Sequence, residues 1–156
     1  MTWVQDGIFA GGGEALPDGW ADFSAQTGIR AILHLRPGAP ANFRGPTPDS
    51  FLWLSVSSEG QAEVADRLLA GAFIADCLAK GERVLLHASL GRHRTRWAYV
   101  AYRIWSGAAL HAALRQAAQP PWLAPYATDE TAWEDLARAV QAHRQELGST
   151  LPLDAR

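Results

Sequence analysis

The stretch Val84-Leu85-Leu86-His87-Ala88-Ser89-Leu90-Gly91-Arg92-His93-Arg94-Thr95 decides how this chain is read. Val84-Leu85-Leu86 is a short apolar run that reads as a central buried strand. Downstream, Trp97, Val100, Ala101, Ile104 and Trp105 recur at helical spacing, and Gly107 closes the run. The segment therefore goes from strand to loop to helix. A loop that ends at a helix N-terminus presents unpaired N–H groups, and the helix dipole adds positive potential. Such a loop suits phosphate. Arg94 lies where the helix begins and can grip two phosphate oxygens with its fork. Gly91 lets the chain turn close to a ligand. Arg92, His93 and Arg96 add local positive charge, with Arg96, past the loop, expected to face solvent. A plain strand–helix connection carrying solvated arginines fits the clustering equally well. A Walker A loop is excluded, because no Gly-Lys-Ser/Thr follows at the required spacing.

Outward from this stretch the chain alternates. Trp3-Val4 and Ile8-Phe9 flank Asp6-Gly7, which predicts a hairpin at a sheet edge. Gly11-Gly12-Gly13 reads as a loop. Asp18 caps a short helix through Trp20, Phe23 and Gln26, ended by Gly28. Ala31 to Leu35 is a buried strand stopped by Arg36-Pro37-Gly38, and a Pro- and Gly-rich loop runs to about Ser50. Phe51 to Val56 is the next strand. From Ala62 to Lys80 two apolar rows, Val64-Leu68-Ala72 and Leu69-Phe73-Cys77, repeat every four residues until Gly81. A helix follows over about Ala108 to Ala118, and Pro120-Pro121 breaks it. Asp129 or Thr131 caps a last helix through Trp133, Leu136, Val140 and His143. Strands separated by helices, then a helical C-terminal half, predict a single α/β domain over 1–156 with a short central sheet flanked by helices.

Composition bounds the function. The chain has 156 residues, 48% hydrophobic and 19% charged, so it can bury a core. A net charge of −2 gives no global attraction to nucleic acid, so an anion site must be local. No apolar run reaches the roughly 18–20 residues of a membrane span. The first residues lack the pattern of a signal peptide, and the single cysteine, Cys77, forms neither an intramolecular disulfide nor a cysteine zinc site. These features point to the cytoplasm. His34, His111 and His143 have no metal-ligand spacing, and no cofactor or metal is implied.

The loop resembles the signature of the protein tyrosine and dual-specificity phosphatase superfamily, His-Cys-x5-Arg-Ser/Thr, with Gly fourth from the Cys. His87, Gly91, Arg94 and Thr95 match. Trp3 to Phe9 resembles the family's opening surface strand, and Ala31 to Arg36 its Val-Ile-Asn-Leu-Arg strand. Phe51 to Val56 resembles the strand before the acid loop, and Ala62 to Lys80 the helix before the signature strand. The resemblance runs from about Trp3 to Trp105. It implies a dual-specificity-phosphatase-like fold and a phosphate cradle formed by Ser89, Leu90, Gly91, Arg92, His93, Arg94 and Thr95. His87 would support the loop from beneath.

Two departures decide the activity. Where the family has its nucleophilic Cys this chain has Ala88, a methyl with no lone pair, so a cysteinyl-phosphate cannot form. Ser89, one residue on, would aim its hydroxyl elsewhere. The family's general acid, an Asp after the strand matching Phe51 to Val56, is also missing. In Ser57-Ser58-Glu59-Gly60-Gln61 the only carboxylate is Glu59, either an acid or a solvated loop residue. Glu63 belongs to the helix, and Asp49 precedes the strand on the wrong side. Two histories fit Ala88: a degenerate phosphatase, or an active one whose Cys was replaced. The missing Asp favours the first. The expected function is binding of phosphate or a phosphorylated protein, phosphoinositide or inositol phosphate, without hydrolysis. A third reading is a protein-interaction module with an unused pocket, using Pro120-Pro121-Trp122-Leu123-Ala124-Pro125-Tyr126 or the last helix. Apart from Trp122, the tryptophans are expected to pack in the core, and Cys77 to be inert.

Overall fold

The computed structural model describes residues 1–13, 19–38, 42–88 and 93–150. Five strands and five helices lie along them: β1 Thr2–Gln5, β2 Ile8–Gly12, α1 Trp20–Thr27, β3 Ile29–Leu35, β4 Ser50–Leu54, α2 Val64–Ala79, β5 Arg83–Ala88, α3 His93–Trp105, α4 Leu110–Gln116 and α5 Glu130–Thr150. A short 3-10 turn, Glu59–Gln61, precedes α2. The five strands form one mixed sheet in the order β1-β2-β5-β3-β4. β2, β5, β3 and β4 run parallel, and only the edge strand β1 is antiparallel. This is the single α/β domain that the alternating pattern predicts, with β5 at its centre.

Helices cover both faces, which is why β3 and β5 read as near-continuous apolar runs instead of alternating ones. On one face Leu33, Leu35, Val84, Leu86 and Ala88 join the main core with Ile74, Trp97, Val100 and Trp133. On the other, Ile29, Ile32 and Leu85 pack with Trp20 of α1. Gly28 ends α1 in the left-handed conformation, φ +72°, that favours glycine. Asp129 is the cap of α5: its Oδ1 accepts the Thr131 N–H at 3.0 Å.

Several local expectations need correction. Gly11 and Gly12 are strand, not loop, because β5 pairs with them, Gly11 opposite His87 and Gly12 opposite Ala88. Asp18 lies outside the described residues, and the residue at the head of α1 is Gly19, with no side-chain cap. The helix expected over Ala62 to Lys80 is present, but its phase differs. Arg67, Ala70, Gly71, Ile74 and Cys77 are buried, while Leu69 is 51% exposed. The segment is apolar around most of its circumference, so periodicity leaves the face undetermined. Contact decides it, since Gly71 faces α3 so closely that an added Cβ would sit 2.7 Å from the Ala101 carbonyl oxygen. Its start is set by a capping box between Glu63 and Asp66. Trp3 is exposed on the edge strand, whereas Trp20, Trp97 and Trp133 are buried.

Candidate functional site

The parallel strands all end at one edge of the sheet, at Gly12, Ala88, Leu35 and Leu54. Ligands of open α/β sheets bind outside such carboxyl ends. The central strand delivers His87 and Ala88 to this edge, and α3 leaves it at His93. Of the cradle residues expected from sequence, Ser89, Leu90, Gly91 and Arg92 lie outside the described residues. His93 and Arg94 open α3 as backbone, and Thr95 is wholly buried in its first turn. Ala88 is buried with its methyl in the main core.

Near the carboxyl ends of β3 and β5 lies a buried pair of imidazoles. His34 on β3 stands directly opposite His87 on β5. Their Nδ1 atoms are 3.1 Å apart, with the two side chains only 3% and 4% exposed. One Nδ1 must carry the proton and donate while the other accepts. Burial pushes the His87 value down to about 4, and His34 and Arg36 push it the same way. On its far side the His34 ring stacks on Phe51. In the family strand that Ala31 to Arg36 resembles, the position of His34 is Asn, so His87 has an aromatic partner here.

Arg96 does not face solvent. It is 5% exposed, and its Nη1 donates to the Pro125 carbonyl at 3.1 Å and, at 3.5 Å, to that of Ala124. Its guanidinium lies over Tyr126, 5.0 Å from the ring centre, and near Trp122 at 5.9 Å. Burial lowers its proton affinity, and Tyr126 and Glu59 oppose that. A long cation without a close carboxylate is buried only when carbonyl oxygens and aromatic faces replace its water, as they do here.

Glu59 is not a solvated loop residue either. Its side chain is 19% exposed. Its Oε1 accepts hydrogen bonds from the Tyr126 hydroxyl at 2.7 Å and from Thr128 Oγ1. Burial, reinforced by the Glu59 carboxylate, raises the Tyr126 phenol far above its ordinary value, so Tyr126 is the donor. Arg67, buried in α2, approaches Glu59 with Nη1 4.0 Å from Oε1 and donates Nη2 to the Glu59 carbonyl at 3.2 Å. The Arg67 guanidinium lies 4.0 Å from the Trp133 ring centre, and Trp133 Nε1 donates to Thr128 Oγ1 at 2.8 Å. A cleft of about 250 Å³ beside this cluster is lined by Glu59, Gly60, Arg67, Thr128 and Asp129, among others. Asp49, by contrast, pairs with Arg30 near the start of β4, at the opposite end of the sheet.

Sequence reading missed the roles of His34, Arg67, Tyr126 and Thr128. Arg67 carried a legible signal, an arginine within a mostly apolar helix, although the phase of that helix was misread. Cys77 is buried, with its thiol pushed up to about 11, mainly by burial, as suits an inert position. Among the described residues no cluster of three or more His, Cys, Asp or Glu could hold a metal ion. No described helix is long and apolar enough to cross a membrane.

This architecture, with β5 ending at Ala88 and α3 beginning at His93, is a dual-specificity-phosphatase-like fold. Human DUSP28 superposes with a TM-score of 0.70 at 19% identity, covering 92% of this chain and 99% of that one. PTPMT1 in complex with PI(5)P gives 0.65 at 18% identity over 90% and 96% of the two chains. The human tyrosine phosphatase-like serine/threonine/tyrosine-interacting protein gives 0.60 at 18% identity over 94% and 97%. At these identities the likeness is one of fold. No protein-family model matches the chain, and no curated protein matches it by sequence.

Proposed function

We propose that this chain is a catalytically silent dual-specificity-phosphatase-fold protein that binds phosphate, or a phosphorylated ligand, in the loop from Ala88 to Thr95. The observation that carries the reading is Ala88. It ends the central strand, one residue after the His that matches the signature, and is followed within five residues by a helix N-terminus. That is where the fold's thiolate would stand, and a methyl there can neither attack phosphorus nor repel a phosphate dianion. Arg94 and the amides at the start of α3 supply the attraction. PTPMT1, of a similar fold, has been solved in complex with PI(5)P. That supports phosphorylated ligands as the class without selecting lipid over protein.

Calorimetric titration tests the proposal. Inorganic phosphate and phenyl phosphate should bind the unaltered chain, which should release no phosphate from the ester. Arg94→Ala removes a charge-assisted contact worth roughly 1.5–3 kcal/mol and should weaken binding about 10- to 100-fold. Absence of binding by the unaltered chain, or turnover of phenyl phosphate, overturns the reading.

A further inference from the structure

We infer that Tyr126 is a positioning residue for this cradle, holding the turn after β4 and the first turn of α3 together as one fixed rim. The inference rests on the proposed function above. Tyr126 is where two separate grips meet. Its hydroxyl donates to Glu59 Oε1, in the turn that follows β4. Its ring lies under the Arg96 guanidinium, in the turn that opens α3. Arg96 also holds the backbone immediately before Tyr126, through the carbonyls of Ala124 and Pro125.

Each grip is anchored from behind. The 59–62 turn is held by its backbone as well as by its carboxylate, because Arg67 donates to the carbonyls of both Glu59 and Ala62. Thr128 adds a second hydroxyl on Glu59 Oε1, and Trp133 fixes Thr128 from α5. Arg96 stands two residues beyond Arg94 on the same helical turn. A shift of Tyr126 is therefore passed to the backbone that presents Arg94. Glu59, the acid candidate read from the sequence, is committed to this rim.

The test uses inorganic phosphate and the full chain. Tyr126→Phe keeps the ring under Arg96 and removes only the hydroxyl. Tyr99→Phe, on α3, is the control: the Tyr99 hydroxyl donates to Gln5 on the edge strand at 3.0 Å. Both variants should lose stability, but only Tyr126→Phe should weaken phosphate binding, by roughly tenfold. It should also speed amide exchange in 59–62 and 94–97. A role confined to packing would lower stability in both variants and leave affinity alone. If Tyr126→Phe does not fold, Glu59→Gln, which keeps an oxygen acceptor and loses the charge, is read the same way. Phosphate binding by the unaltered chain together with undiminished binding by the variant overturns the inference alone. No binding by the unaltered chain overturns the cradle and the inference with it.

Discussion

Acidification should destabilise the fold, and the cause is the His34–His87 pair. In the unfolded chain His87 takes a proton near its ordinary 6.5, whereas in the fold burial and the facing imidazole delay this to about 4. The unfolded state thus binds more protons throughout that window. The contribution of His87 to stability is complete above about pH 6.5, falls as pH drops towards about 4, and levels below it. At about 1.4 kcal/mol per pH unit, the interval corresponds to roughly 3 kcal/mol. A loss of that size is a large fraction of a typical domain's stability. Removing the titration should flatten the curve. His87→Gln, of similar size and permanently neutral, is the perturbation. Urea unfolding followed by tryptophan fluorescence, between about pH 7.5 and about pH 4, gives stability for both chains. Groups remote from position 87 are common to both chains, so the difference isolates the His34–His87 pair. His87→Gln should be the less stable chain near neutrality, with the gap closing by roughly 3 kcal/mol towards about pH 4. A gap independent of pH would show that His87 titrates alike in both states, and the argument from burial would be wrong.

Other outcomes follow from the same geometry. Ala88→Cys should set a thiol above a helix N-terminus, form a phosphoenzyme with phenyl phosphate and bind phosphate dianion less tightly, all readable by mass spectrometry and calorimetry. With Glu59 held by Tyr126 and Thr128, that variant should turn over alkyl phosphates poorly, as phosphate-release assays would show. Gly71→Ala should destabilise the chain by roughly 1–3 kcal/mol in urea unfolding, since its methyl meets the Ala101 carbonyl and Trp105 Cβ at 2.7 and 2.9 Å. Arg67→Met should cost about 2 kcal/mol by the same measurement, losing two backbone hydrogen bonds and the contact with Trp133.

The fold was legible in the sequence because its informative features are local. Short, mostly apolar runs at Ala31 to Leu35 and Val84 to Leu86, with helical spacing and glycine stops between, mark strands buried on both faces. That position 88 itself offers no nucleophile was equally legible, because a methyl has its chemistry whatever surrounds it. What the sequence left open depends on residues far apart in the chain. The buried face of α2 could not be read from a helix apolar on most sides; it took the approach of Ala101 to Gly71 to decide it. Arg96 looked like a solvent cation until the carbonyls of Ala124 and Pro125, nearly thirty residues on, replaced its water. Glu59 looked like an acid or a solvated carboxylate until Tyr126 and Thr128 claimed it. His34 became part of the site only when β5 was laid beside β3 in the register that pairs it with His87. Local pattern carries the elements and the inert methyl at position 88, because propensity and atom type belong to single residues. Burial and hydrogen bonding of a charged side chain belong to the set of neighbours that tertiary folding assembles around it.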